Sequence, residues 1–386
     1  MGTRTCRQPG SRSWARGVFA AGAMAWACVA AAAQDAYKAS AGPWGVEIAD
    51  ETWRDAARDT GVEVRVYRPQ ARPAAPGAAR SEQVKHPLVV LSHGMGGSRI
   101  GYEYLASHWA SHGYLVVVPT HAGSDTAAVR EALRAQIREV VKGTGPNPDG
   151  LGAGLPGLNG VMSENTSSPE NLRGRPRDVS FVITRIQESE RYGPMIDGSR
   201  IAVAGHSFGA YTAMAVAGML VDLPEGDDVS FRDSRVKAAI AMSPQGRGVM
   251  GINAGAWEPV DVPALFFTGT ADYGQGGFAA QWRRTPFESV HRADHYLVTI
   301  TDGTHMTFAD YPGTRSRPRA EAGRDHAIHL AMVKSVTTAF LDEYLMNSAE
   351  AREWLVGFSA AKSEAYAAEF RAGGAPEAGL VPRLGQ

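Results

Sequence analysis

A serine between two glycines is the residue of this 386-residue chain around which a hydrolytic site could be built. Ser207 lies in the sequence Gly-His-Ser-Phe-Gly, with four apolar residues before it and a run of small residues after it. Strand, tight turn and helix in that order expose a serine hydroxyl for nucleophilic attack. In so tight a turn, a side chain on Gly205 or Gly209 would collide with neighbouring backbone. A glycine-rich turn with a capping serine is the alternative interpretation.

A serine hydroxyl also needs a histidine to accept its proton and a carboxylate to orient that histidine. On a parallel sheet both partners follow the serine in chain order, each on a loop beyond a later strand. Asp272 comes just after an apolar run at 264–268, and His305 follows a second run at 296–301. The sequence therefore predicts a triad of Ser207, Asp272 and His305.

Other serines and carboxylates fit these roles less well. Ser92 and Ser243 also end predicted strands, but neither lies between glycines in front of a helix. Asp302 precedes His305 by three residues, which favours a local turn hydrogen bond over a role in orienting the imidazole. Asp294 comes before the last predicted strand, which would place it at the opposite edge of the sheet.

The remaining histidines do not predict a metal site. His291 and His295 have the spacing of zinc ligands on a helix, but no glutamate lies between them and a strand follows. His93 and His206 are interpreted as structural hydrogen-bonding residues. The mechanism requires no metal and no organic cofactor.

Negative charge that develops on a substrate carbonyl must meet preorganised hydrogen-bond donors. One donor is predicted to be the backbone N–H of Phe208, directly after the nucleophile. The second is expected on the glycine-rich loop that follows the first buried strand. The N–H of Met95 is assigned to this role, with Gly94 as the neighbouring alternative.

Apolar patterning predicts an α/β fold with a mostly parallel central sheet and helices on both faces. Alternating residues at 62–67 predict an edge strand that is exposed on one face. The stretch at 143–175 is rich in Gly, Pro, Asn and Ser and has no apolar period, so a loop-rich insertion is expected there. The predicted strands are 62–67, 88–91, 114–119, 201–204, 236–242, 264–268 and 296–301, and the predicted helices are 102–111, 127–142, 178–187 and 332–344.

The first residues have the pattern of an export signal. Four arginines precede an apolar run at 18–30 and then three alanines, which predicts a secretory signal peptide cleaved after Ala33. A retained membrane anchor and lipid attachment at Cys28 are the alternatives. Both cysteines of the chain, Cys6 and Cys28, lie in this segment, so the mature chain would hold no disulfide and no cysteine nucleophile. Export to the periplasm or medium of a bacterium is expected, the source being inferred from richness in alanine and arginine.

The predicted organisation is a signal peptide at 1–33, an N-terminal extension at 34–61 and a catalytic domain at 62–347. The catalytic domain includes an insertion at about 126–176, and a C-terminal helix and disordered tail occupy 348–386. The net charge of −1 and the absence of a basic stripe argue against nucleic acid as a partner. Contact with a membrane is expected only through the signal segment, if it is not cleaved.

Over residues 88–344 the chain resembles the α/β-hydrolase superfamily. Within it, the chain is similar to proteins described as predicted dienelactone hydrolases and to platelet-activating-factor acetylhydrolases. The resemblance rests on LVVLSHGMGGSRIGYEYLASHWASHGYLVVVPTHAGSD, RPRDVSFVITRI, IAVAGHSFGAYTA and the GTAD and GTHMTF turns. It implies Ser207, Asp272 and His305 as the triad, with Met95 and Phe208 as oxyanion donors. Dienelactone hydrolases proper use a cysteine nucleophile, so that name does not decide the substrate.

The predicted function is hydrolysis of carboxylic esters through an acyl-enzyme, on a small-molecule or lipid ester. The resemblance favours short acyl chains. An amidase, peptidase or acyltransferase with the same machinery is one alternative, and a non-catalytic binding protein with this fold is another. The acyl pocket is expected to be built from 143–175 and from 245–260, which contains Met250 and Trp257.

Overall fold

A computed structural model of the chain describes residues 36–71, 84–141, 156–274, 277–309 and 320–374. The chain divides into two compact units, residues 1–37 and residues 38–386. Only Ala36 and Tyr37 of the first unit are described, so the predicted signal peptide lies outside the described residues. No helix in the described ranges is both long enough and apolar enough to span a bilayer.

Most strands of the second unit are rich in Val, Ile, Ala and Phe, the composition typical of strands that are covered on both faces. The strands are β1 (Gly45–Asp55), β2 (Thr60–Gln70), β3 (His86–Ser92), β4 (Leu115–Pro119), β5 (Ile196–His206), β6 (Leu220–Leu223), β7 (Gly226–Ser230), β8 (Val236–Met242), β9 (Ala264–Ala271), β10 (His295–Thr304) and β11 (Tyr366–Arg371). Nine of these strands form one sheet in the described ranges, and β6 and β7 form a separate two-stranded hairpin.

Helices connect the strands of the sheet. They are α1 (Glu103–Ser111), α2 (Thr126–Val141), α3 (Pro156–Ser167), α4 (Pro169–Gln187), α5 (Phe208–Ala217), α6 (Thr285–Ser289), α7 (Ala320–Met346) and α8 (Ala349–Ala360). Two of them begin with a serine cap: the Ser168 side chain accepts a hydrogen bond at the start of α4, and the Ser348 side chain does so at the start of α8.

The sheet has the strand order β1-β2-β4-β3-β5-β8-β9-β10-β11. From β4 to β10 every neighbouring pair is parallel, whereas β1, β2 and β11 join in antiparallel pairs. The carboxyl ends of β3, β5, β8, β9 and β10 therefore lie along one edge. Loops that follow these five strands are close enough to form a common site.

Helices cover both faces of the sheet, as the sequence predicted. Val90 and alternate residues of the neighbouring strands pack in one apolar cluster with Val182 of α4 and Met214 of α5. Val89 and Leu91 are also fully buried but lie outside that cluster, so they face the opposite side. α7 contacts β5 and β8, and on this side the Trp109 indole N–H donates to Thr337 Oγ1 at 3.1 Å.

The prediction of an edge strand at 62–67 is wrong. β2 lies inside the sheet, paired with β1 along its whole length and with β4 on its other side. Alternation of polar and apolar residues reports which face of a strand meets solvent, and it says nothing about whether a neighbouring strand is present. β1, at the actual edge, lies within the predicted N-terminal extension, and its polar sequence gave no strand signal.

The expectation of irregular chain through 143–175 is also wrong where the structure describes it. α3 occupies 156–167, and α4 begins at Pro169, nine residues before the predicted helix start at 178. Ser168 as N-cap and Pro169 in the first turn are favourable start signals, but Pro176 inside the helix resembles a helix break. The predicted disordered tail beyond Gly373 lies outside the described residues, apart from Gly374.

Candidate active site

Ser207 lies on a strained turn between β5 and α5. Its backbone φ of 56° and ψ of −120° are unusual for a residue with a side chain. A Cβ on Gly209 would lie 2.0 Å from the carbonyl oxygen of Ser92, and a Cβ on Gly205 would lie 2.1 Å from the carbonyl oxygen of Gly209. Neighbouring carbonyl groups therefore leave no room for a side chain at either position, as predicted for this turn.

The structure brings together the three residues that were predicted as a triad. Ser207 Oγ lies 2.9 Å from His305 Nε2, and His305 Nδ1 lies 3.1 Å from Asp272 Oδ1. Asp272 directly follows β9, and His305 directly follows β10. The carboxylate is fully buried, whereas the imidazole is 34% exposed, so solvent reaches the imidazole but not the carboxylate.

Ser243, weighed above as a rival nucleophile, lies on the far side of His305 from Ser207. Its Oγ donates to Asp272 Oδ2 at 2.5 Å and lies 2.7 Å from His305 Nδ1. The residue follows β8, is fully buried and has a φ of 52°. This side of the imidazole thus presents a hydroxyl oxygen and a carboxylate oxygen as acceptors. They favour the tautomer with the proton on Nδ1, which leaves Nε2 as the acceptor toward Ser207.

Arg283 lies on the buried side of the cluster, and no motif in the sequence around it predicted a role at this site. Its Nε lies 2.7 Å from Asp272 Oδ1, and its Nη2 lies 3.1 Å from His305 Nδ1. The guanidinium also donates to the carbonyl oxygens of Ser243, Pro244, Asp272 and Tyr273. Burial lowers the pKa of Arg283, and the neighbouring Asp272 carboxylate opposes that change. The guanidinium therefore fixes the loops after β8 and β9 together around the carboxylate.

The two predicted oxyanion donors are amides that lack a protein acceptor within the described ranges. Phe208 is the first residue of α5, where an amide has no partner within the helix. On the loop after β3, the Gly94 amide donates to Tyr102 Oη at 3.3 Å and the Gly96 amide donates to the Ser124 carbonyl at 2.9 Å. The Met95 amide between them is left to bind another group, which favours Met95 over Gly94 as the donor.

His206 has the structural role that was predicted for it. Its Nδ1 lies 2.7 Å from Tyr102 Oη, and its Nε2 lies 2.8 Å from the carbonyl oxygen of His305. Complete burial lowers the pKa of His206 well below its ordinary value, so the ring is neutral. Because Tyr102 also accepts from the Gly94 amide, one hydrogen-bonded chain joins the loop after β3 to the backbone of His305.

A second Ser–His–Asp arrangement lies beneath the loop after β3. His121 Nε2 is 3.1 Å from Ser92 Oγ, and His121 Nδ1 is 2.9 Å from Asp178 Oδ2. Burial lowers the pKa of His121 well below its usual value and raises the pKa of Asp178 to about 6, with Arg58 opposing the latter change. Ser92 and His121 are at most 1% exposed, so substrate has no access. The cluster is a structural network.

Asp294, a rival carboxylate, and His295, a rival metal ligand, lie at the start of β10, where the sequence predicted them. Asp294 precedes β10 and accepts hydrogen bonds from Tyr344 and from the Gly373 amide, away from His305. His295 packs its ring edge against Phe287, with ring centroids 5.0 Å apart. Among the described residues, no group of three or more His, Cys, Asp or Glu side chains is arranged to hold a metal ion.

A narrow crevice occupies part of the region that was expected to form the acyl pocket. It leaves no room for a water molecule, and Trp257 in its wall is fully buried. In this structure Trp257 therefore covers the sheet and does not line an open pocket. The crevice is lined by Ala210, Tyr211, Met214, Met219, Pro244, Gln245, Ile252, Trp257 and Pro286.

Comparison with known proteins identifies similar sequences and a similar fold. Residues 38–143 match the family described as platelet-activating factor acetylhydrolase, isoform II. The platelet-activating factor acetylhydrolase of Canis lupus familiaris is 22% identical over 291 residues, which are 70% of this chain and 60% of that protein. The Bos taurus protein of the same name is 21% identical over 306 residues, which are 73% of this chain and 62% of that protein. The chain thus spans about three fifths of the length of these curated relatives.

Among solved structures, a ferulic acid esterase from Streptomyces cinnamoneus is similar with a TM-score of 0.51 and 22% sequence identity. The alignment covers 79% of this chain and 91% of that one. At this identity the likeness concerns the fold. The strand order, the turn at Ser207 and these similarities together show that the chain has the α/β-hydrolase fold and resembles the platelet-activating factor acetylhydrolases of that superfamily.

Proposed function

We propose that this protein hydrolyses carboxylic esters through an acyl-enzyme formed on Ser207. The observation that carries the proposal is the hydrogen-bonded series from Ser207 Oγ to His305 Nε2 at 2.9 Å and from His305 Nδ1 to Asp272 Oδ1 at 3.1 Å. Nucleophile, base and orienting carboxylate are within hydrogen-bonding distance before any substrate binds. The similarity to acetylhydrolases supports the same class of reaction.

The reaction proceeds in two halves at this site. Ser207 Oγ attacks the ester carbonyl carbon while its proton moves to His305 Nε2, and the carbonyl oxygen becomes an oxyanion. The Met95 and Phe208 amides stabilise that oxyanion, and His305 gives its proton to the departing alcohol. Water then attacks the acyl group, with His305 again accepting a proton, and the acid leaves as Ser207 regains its hydrogen. Buried Asp272 holds the imidazole in the required tautomer throughout.

For the substrate, we propose short acyl esters of small molecules or lipids. The support is the similarity to platelet-activating factor acetylhydrolases, which by their name release an acetyl group. Export of the enzyme, with the signal at 1–33 removed, belongs to the same proposal and is supported by the basic, apolar and small-residue order of that segment.

A panel of p-nitrophenyl esters from acetate to palmitate tests the proposal. We expect the highest kcat/KM for the acetate or butyrate and a loss of about 10⁴-fold or more in kcat for Ser207→Ala. Retention of hydrolysis by Ser207→Ala would contradict the nucleophile. A kcat/KM that rises up to the palmitate would contradict the short acyl chain and leave the reaction class standing.

A further inference from the structure

Arg175 of α4 lies beside the proposed oxyanion hole and contacts both segments that supply its donors. We propose that Arg175 is a positioning residue that keeps the amides of Met95 and Phe208 at a fixed separation. This inference rests on the proposed function, because it assigns a purpose to the oxyanion hole of that reaction.

The three nitrogen atoms of the Arg175 guanidinium each bind a different segment of the chain. Nε donates to Thr212 Oγ1 on α5 at 2.8 Å, and Nη1 donates to Ser124 Oγ after β4 at 2.7 Å. Nη2 donates to the carbonyl oxygen of His93 after β3. The side chain is 1% exposed, so these hydrogen bonds form away from competing water.

The Phe208 donor is held by Arg175 in two ways. Thr212, which accepts from the guanidinium, donates its own hydroxyl to the carbonyl oxygen of Phe208 at 2.9 Å. The Arg175 guanidinium carbon also lies 4.4 Å from the centre of the Phe208 ring, a cation–π contact. The first turn of α5, which orients the Phe208 amide, is thus fixed against the arginine.

The Met95 donor is held from both sides along its loop. His93, two residues before it, is bound directly by Arg175 through its carbonyl oxygen. Gly96, the next residue, donates its amide to the carbonyl oxygen of Ser124, whose hydroxyl accepts from Arg175. The backbone on either side of Met95 is therefore tied to the guanidinium that also fixes Phe208.

A planar guanidinium suits this task because its N–H groups point in fixed directions. Oxyanion donors act at 2.7–3.1 Å from the charged oxygen, so a small change in their separation weakens one of the two hydrogen bonds. Loss of one such donor reduces kcat by about 10²- to 10³-fold. A lysine would keep the charge but could not bind three separate acceptors with the same geometry.

The test must separate positioning from a general loss of packing. A trifluoromethyl ketone provides that readout, because Ser207 Oγ adds to its carbonyl carbon, the serine proton passes to His305, and the former carbonyl oxygen becomes an oxyanion. The inhibition constant of the ketone then reports the strength of the oxyanion hole, while KM for p-nitrophenyl acetate reports ground-state binding. Folded fraction is measured in parallel by circular dichroism.

For Arg175→Lys and Arg175→Met we expect kcat to fall about 10- to 100-fold and the ketone inhibition constant to rise by a similar factor. KM should change less than about threefold. The matched control is Arg235→Lys, because Arg235 also binds α4, through Thr184 Oγ1 at 2.9 Å and the Ser180 carbonyl at 3.1 Å, but touches neither donor segment. We expect the control to keep both values.

Unchanged ketone inhibition in a folded Arg175 variant would overturn the inference, as would equal losses in Arg235→Lys. If the Arg175 variants do not fold, Thr212→Val and Ser124→Ala carry the test, since each removes one acceptor and leaves the arginine in place. Parallel losses of a few fold in kcat and ketone affinity are expected of them, and no loss in either would overturn the inference. Failure of the wild-type protein to hydrolyse ester or bind the ketone would instead refute the proposed function.

Discussion

Ser243 Oγ lies 2.7 Å from His305 Nδ1, which is closer than the 3.1 Å between that nitrogen and Asp272 Oδ1. Since the Ser243 hydroxyl hydrogen is directed to Asp272 Oδ2 at 2.5 Å, the hydroxyl oxygen is free to accept the Nδ1 proton. The imidazole is therefore oriented by a serine and an aspartate together. The sequence predicts only the aspartate as the group that orients the imidazole.

Ser243→Ala should lower kcat about fivefold with little change in KM, because a neutral hydrogen bond contributes about 1 kcal/mol. Ser243→Gly is the matched control, since glycine tolerates the φ of 52° and also lacks the hydroxyl. Steady-state kinetics on p-nitrophenyl acetate should give similar losses for both. Wild-type kcat in either variant would show that the hydroxyl is dispensable.

Arg283→Met should destabilise the fold by about 3–5 kcal/mol, because it leaves the buried Asp272 carboxylate without its cationic partner. Asp272 is fully buried and the Arg283 side chain is only 4% exposed. Arg232→Met is the control, since the ion pair of Arg232 with Asp261 lies at the surface and should contribute about 0–1 kcal/mol. Urea unfolding measures both. Equal losses in the two variants would contradict the assignment of a buried, stabilising guanidinium.

Gly209→Ala should prevent correct folding of the nucleophile turn, because its Cβ would lie 2.0 Å from the Ser92 carbonyl oxygen. Gly357→Ala is the opposite case, since no atom lies within 4 Å of its added Cβ and the residue is inside α8. That variant should gain about 0.5–1 kcal/mol in the free energy of unfolding. Thermal unfolding distinguishes them, and a Gly209→Ala protein of wild-type stability and activity would contradict the geometry of the turn.

The three most completely buried histidines of the described residues, His93, His121 and His206, predict that the folded state loses stability in acid. Burial lowers the pKa of each well below its ordinary value, so each is neutral when folded and takes up a proton on unfolding. Because the unfolded chain then binds more protons, the free energy of unfolding falls as the pH drops below about 6.5. Each contributes a slope of about 1.4 kcal/mol per pH unit once protonated in the unfolded chain.

Asp178 acts in the opposite direction, because burial raises its pKa to about 6 and the folded state then holds the extra proton. The stability that Asp178 contributes is lost as the pH rises from about 4 to 6, so over that range it opposes the histidines by about one proton. We therefore expect urea unfolding to give a lower free energy at pH 5 than at pH 7. His121→Gln should reduce the slope by about one proton. A free energy of unfolding that is constant over this range would contradict the neutral buried histidines.

The proximity of the three residues proposed as a triad could be predicted from the sequence because each directly follows an apolar strand. Ser207, Asp272 and His305 needed only chain order and the rule that parallel strands end at a common edge. Ser243 and Arg283 could not be assigned in the same way. The position of Ser243 after a strand suggests only a rival nucleophile, and Arg283 lies in a short 3₁₀ turn, Ala280–Arg284, with no motif around it.

The parallel part of the sheet was predicted for a similar reason, since strands covered on both faces form continuous apolar runs. The antiparallel strands at the two edges, β1 and β11, were missed because neither contains a continuous apolar run like those of the central strands. α4 was predicted to start too late because Pro176 lies inside it. Pro176 disfavours a helix at this point in the sequence. The neighbouring Arg175 forms tertiary hydrogen bonds there, which a reading of the local sequence does not include.

Ser207 is proposed to be an activated nucleophile. Labelling with a fluorophosphonate tests this proposal most directly. The reagent phosphonylates a serine only when a base has activated its hydroxyl and an oxyanion hole accepts the phosphoryl oxygen. Folded protein is labelled, digested and mapped by mass spectrometry, with Ser207→Ala and urea-unfolded protein as controls. We predict stoichiometric modification of Ser207 in the folded wild-type protein alone. Absence of labelling, or labelling at Ser92 or Ser243 in its place, would contradict the account.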